Sequence, residues 1–71
     1  MKNIAIFNED LLGIVKEDKV VDVSKAANWN TNNPESSFLY LVENYEQLKG
    51  NLEKEVEIGK TYAIQDVFFK S

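Results

Sequence analysis

Three glutamates in the stretch "EKEVE", Glu53, Glu55 and Glu57, are the densest set of potential ligands in the chain. Extended backbone would bring the three carboxylates to one side, the convergence of oxygens that a hard cation requires. Helical backbone would scatter them and leave them to pair with Lys49 or Lys54. Such a charged run is ordinarily a solvated link between two elements, and it is read that way here, as a stretch between a helix and a strand.

Two further acidic pairs, Glu9–Asp10 and Glu17–Asp18, could in principle supply a general acid and its base. Dividing those roles between two carboxyls needs enclosure that pulls their pKa values apart, and both pairs fall in turns open to water. Ser36 and Ser37 would need a basic partner to act as nucleophiles, and the chain contains no histidine. It contains no cysteine either, which removes thiolate chemistry, disulfides and cysteine zinc sites. No catalytic, cofactor-binding or metal-binding residue is assigned. Tyr40, Tyr45 and Tyr62 read as core or core-rim residues. Trp29, in an asparagine-rich loop, reads either as a ring folded back on the core or as an exposed anchor for a partner.

The elements that would position these residues fit one small domain. Seventy-one residues leave room for a single core, and a fold of that size buries only about 60% of its unfolded surface. At 44% hydrophobic and 28% charged, the chain is too apolar to stay disordered. Its net charge of −4, with no arginine, argues against gripping a nucleic-acid backbone. The longest wholly apolar run is the five residues "FLYLV", against the roughly 20 that span a bilayer. The opening "MKNIAIFNED" turns acidic early and lacks a small-residue cleavage site, so no signal peptide and a cytoplasmic location are expected.

"NIAIF", "LLGIV" and "VVDV", separated by the polar turns "NED" and "KEDK", predict a three-stranded antiparallel meander. Gly13 sits at the centre of the second strand, where a positive φ or a place beneath the helix would explain it. Ser24 is expected to cap a short turn over "KAAN", and "NWNTNNP" to form a loop. Asn33 and Pro34 suit the cap and first position of a helix. Phe38, Leu41, Tyr45, Leu48 and Leu52 recur on one helical face, with Gly50 a natural stop that leaves Leu52 in question. One or two short strands are expected from "TYAI" and "VFF". The architecture is α+β: a small antiparallel β-sheet, the three-stranded meander plus a C-terminal strand, packed with one main helix.

The order of these segments resembles the N-terminal domain of fumarylacetoacetate hydrolase family proteins, which include 2-hydroxyhepta-2,4-diene-1,7-dioate isomerases and acylpyruvate hydrolases. The matching pieces are "MKNIAIF", "LLGIVKEDK", "VVDVSKAA", the leucine-bearing "FLYLVENYEQL" and "YAIQDVFFKS". The last is similar to the family's "L-x-D-V-x-(L/F)-x-x-P" approach to the catalytic domain. The resemblance implies a parent hydrolase or isomerase of small oxo-acids that uses magnesium or manganese. Its metal carboxylates and catalytic His and Glu would lie in a larger β-rich domain, after a Gly-x-Asn-Tyr-x-x-His segment that is missing here. "EKEVE" echoes the family's Glu-x-Glu metal motif without that context, so no residue is carried over. Asp22 and Ser24 look like sheet-end and capping positions.

The resulting expectation is a noncatalytic N-terminal domain, 1–71, whose partner is the catalytic domain of its parent chain. The same reading expects no nucleic acid or membrane partner. "DVFF" places three consecutive apolar residues near the chain end, and a terminal strand can bury only one face. Phe68 or Phe69 is therefore expected to stay free for the catalytic domain or for self-association. The rival expectations are a free-standing interaction protein that binds through its sheet edge or Trp29, and a small metal-binding protein using the glutamates.

Overall fold

The structure, a computed structural model, describes residues 3–70. The opening Met–Lys of the family resemblance and the terminal Ser71 lie outside the described residues.

The meander forms as its alternation predicts. Strands β1 (Ile4–Phe7), β2 (Leu11–Lys16) and β3 (Lys19–Asp22) pair antiparallel, with Ile4 opposite Ile14 and Ile14 opposite Val21. That register collects Ile4, Ile6, Leu12, Ile14 and Val21 on one face, the face that packs into the main core. The tight turns are made without glycine: Asn8, Asp10 and Glu17 all adopt left-handed φ. Asn and Asp tolerate that region better than most residues.

The C-terminal part forms two short strands, within the one or two expected, but places them at opposite edges of the sheet. Strand β4 (Thr61–Ala63) pairs with β3, whereas β5 (Phe69–Lys70) pairs with β1 at the opposite edge. The sheet order is β4-β3-β2-β1-β5. The ten residues from Thr61 therefore strap the sheet from edge to edge. The strap leaves β4 beside the second hairpin turn, where the Ile64 N–H donates to the Asp18 carbonyl at 3.0 Å. It arrives at the first turn, crossing the face that the helices leave open.

The open face has its own small core. Phe7 is fully buried there, its ring edge-on to Tyr62 at 5.3 Å between centroids. This accounts for Gly13. A Cβ at that position would come 2.6 Å from Val20 Cγ1 and 2.7 Å from the Phe7 ring. Gly13 has no positive φ and does not lie beneath a helix, contrary to expectation; Phe7 and Val20 occupy the space a side chain would need.

The expected one helix is two, α1 (Pro34–Glu43) and α2 (Tyr45–Ile58), broken at Asn44. The Asn44 backbone N–H and side-chain amide both donate to the Tyr40 carbonyl, at 3.0 and 2.9 Å, and its non-helical φ of −115° ends α1 there. Gly50 does not stop the helix. The charged stretch expected to link helix and strand continues α2 to Ile58, and Leu52 is buried in the core beside Leu41 and Leu48. Phe38, placed on the apolar face by its spacing, is partly exposed instead. The start of α1 is as predicted, with Pro34 in the first turn and Asn33 Oδ1 accepting from the Ser36 N–H.

Asp22 and Ser24 join sheet to helix layer. Asp22 Oδ1 accepts from the Ser24 N–H at 2.9 Å, and Ser24 Oγ accepts from the Leu12 N–H at 3.0 Å. The Ser24 hydroxyl thus satisfies the second strand and does not cap the 3-10 turn over Ser24–Ala27. That turn packs against α2 and closes the main core with Val23 and Ala27.

Candidate functional site

The fold separates the residues whose chemistry the sequence raised. Glu53, Glu55 and Glu57 all lie on α2. Helical geometry puts Glu53 and Glu57 one turn apart and sends Glu55 to the other side. Glu57 pairs with Lys16, at the end of the central strand β2, at 3.9 Å, and Lys49 pairs with Glu46, so the expected partners Lys49 and Lys54 are not used by these glutamates. Among the described residues no group of three or more acidic, histidine or cysteine side chains could hold a metal ion. The donor set does not fit a magnesium or manganese centre.

Of the hydroxyl candidates, Ser37 is structural, and exposed Ser36 contributes its backbone N–H to the Asn33 cap. Ser37 Oγ accepts from the Asn30 N–H at 2.9 Å and, with Asn33, holds the asparagine-rich loop onto the first turn of α1. Trp29 resolves to the core reading. It is 9% exposed, and its Nε1–H donates to the Asp10 carbonyl at 2.6 Å. No helix of the described residues is long and apolar enough to cross a membrane.

What remains is a surface built around the first hairpin turn. Asn8 clamps the incoming strap on both sides. Its N–H donates to the Phe68 carbonyl at 2.7 Å, and its Oδ1 accepts from the Phe68 N–H at 3.0 Å. Between those two bonds the Phe68 side chain stands 81% exposed, and Phe69, next along β5, is 48% exposed. Phe68 shares a shallow groove with Glu9, Leu11, Thr31 and Asp66. On the other side of the turn, Ile6, Pro34 and Phe38 line a second groove, bordered by Asp10, Glu35 and Lys70. Leu39 and Val42 extend the exposed apolar surface along α1, because that helix buries only Ser37 and Leu41. Adjacent exposed apolar side chains of this kind characterise contact surfaces more than catalytic ones.

The sequence marked the tail as more apolar than a chain end needs, and the structure leaves both rings exposed, Phe68 more than Phe69, so the terminal strand buries neither. Nothing in the sequence marks the turn at 8–10 as the anchor of this surface, where Asn8 adopts a left-handed φ.

No family model matches the chain, and no curated protein matches it. Solved structures do. A crystal structure of maleylpyruvate hydrolase from Sphingobium sp. SYK-6 superposes with a TM-score of 0.87 at 20% identity, covering 96% of this chain and 27% of that one. A second structure of that enzyme, in complex with manganese(II) ion and pyruvate, gives a TM-score of 0.85 at 21% identity, over 93% of this chain and 25% of the other. The chain spans about a quarter of the length of the structures it matches. At this identity the likeness is one of fold, and it bears out the resemblance read from the sequence: nearly the whole chain has the fold of one part of a maleylpyruvate hydrolase.

Proposed function

We propose that this chain is a noncatalytic N-terminal domain of an enzyme of the fumarylacetoacetate hydrolase kind. The parent would be a hydrolase or isomerase of small oxo-acids in the cytoplasm, with its magnesium or manganese held in a separate domain. The observation that carries the reading is the match of 96% of this chain to only 27% of a maleylpyruvate hydrolase. The chemistry of the residues agrees. The sequence has no histidine and no cysteine, and among the described residues no group of acidic side chains could hold a metal ion. Its role is to dock on the catalytic domain, with Phe68 and the grooves beside it as the contact, and to shape access to the active site.

The test is an assay of the purified chain against an acylpyruvate with manganese or magnesium. The expected result is no turnover above a buffer control. Turnover that survives repurification would overturn the proposal.

A second reading, a free-standing interaction protein, is favoured by one feature. Strand β4 pairs only with β3, leaving its outer edge for an added strand. The exposed ring of Phe68 would then serve a separate partner or a second copy, and Trp29, being buried, would play no part.

A further inference from the structure

The exposed ring of Phe68 is carried on a fixed main chain. Both polar groups of its backbone are bound by Asn8, so only the side-chain torsions remain to be ordered when something covers the ring. A preorganised aromatic loses little freedom on binding, which is the property of an anchor residue. The charged side chains that line its groove are acidic. Glu9 and Asp66 line its groove, and Asp10 and Glu35 border the neighbouring groove that holds Phe38. The ammonium at this surface, Lys70, is engaged by Asp10 at 3.5 Å.

We infer that this surface docks a protein segment that offers an apolar site to Phe68 and surrounds it with lysine or arginine. Charge complementarity selects that occupant. A second copy of the chain would bring Glu9 and Asp66 against another molecule of net charge −4. The inference deepens the docking-domain reading and rests on it, by specifying a cationic rim on the facing surface of the catalytic domain.

The test uses the full chain, labelled with nitrogen-15, and two synthetic amphipathic helical peptides that share one leucine face. One peptide carries lysine on its polar face and the other glutamate. The lysine peptide should shift amide resonances at residues 8–10 and 66–69, and its affinity should fall about tenfold or more as salt is raised. The glutamate peptide should leave those resonances in place. Phe68→Ser should weaken the lysine peptide about tenfold. The double variant Glu9→Gln with Asp66→Asn, which keeps the ring, should remove most of the salt dependence.

Shifts centred on Glu53 and Glu57, equal binding of the two peptides, or no binding of the lysine peptide would each overturn the inference. So would low-salt self-association abolished by Phe68→Ser, which would make a second copy the occupant. None of these results bears on whether the chain has activity, so the docking-domain reading is judged separately by its own assay.

Discussion

The indole Nε1–H of Trp29 donates to the main-chain carbonyl of Asp10 at 2.6 Å, across nineteen residues of sequence. This bond ties the asparagine-rich loop to the turn that also clamps Phe68, so loop, turn and strap form one unit. Trp29→Phe keeps most of the buried ring and deletes the donor. It should cost about 1 kcal/mol in a denaturant melt, the net value of one such hydrogen bond. Native tryptophan fluorescence should be blue-shifted and shielded from iodide. An unchanged melting midpoint together with full quenching would place the indole outside the core.

Gly13 is required by its neighbours. Gly13→Val would drive a branched side chain into Phe7 and Val20, and should destabilise by about 1–3 kcal/mol. Pairing it with Phe7→Leu, which shortens the opposing ring, should recover part of the loss. A Gly13→Val protein as stable as the parent would remove the open-face core from the account.

Gly50 offers the opposite case. It lies inside α2 with nothing within 4 Å of where a Cβ would stand. Gly50→Ala should therefore stabilise the chain by roughly 0.5–1 kcal/mol, through helix propensity and a less flexible unfolded state. Thermal denaturation reads the change directly, and a loss of stability would mean that α2 ends at residue 50.

These positions show how far the sequence could be followed. The meander was legible because a period of two assigns every side chain of Ile4–Phe7 and Leu11–Lys16 to a face. The length of α2 was not. Gly50 resembles a terminator, but a mid-helix glycine costs only about 1 kcal/mol, whereas burying Leu52 is worth about 1.5–3 kcal/mol. Tertiary burial outweighed the local signal. The break at Asn44 lies in a non-helical φ, accompanied by a side-chain bond to Tyr40, that spacing does not reveal. The two-residue β5 is too short to have a period, and its place beside β1 depends on the Asn8 clamp. The exposed surface around Phe68 was half legible: "DVFF" announced an apolar chain end, and only the folded chain gave Phe68 its acidic neighbours.

Metal binding gives a further check. With Glu53, Glu55 and Glu57 scattered around α2, calorimetric titration with manganese or magnesium should show only weak, nonspecific heats. A one-to-one isotherm in the micromolar range that disappears in Glu55→Gln would mean that the carboxylates converge after all.

The central claim is that this domain serves a catalytic domain on the same chain. Sequencing the transcript past the codon for Ser71 in the cells that make the protein tests it most directly. The account predicts an open frame that continues into a β-rich domain bearing a Gly-x-Asn-Tyr-x-x-His segment. A stop codon immediately after Ser71 would contradict it.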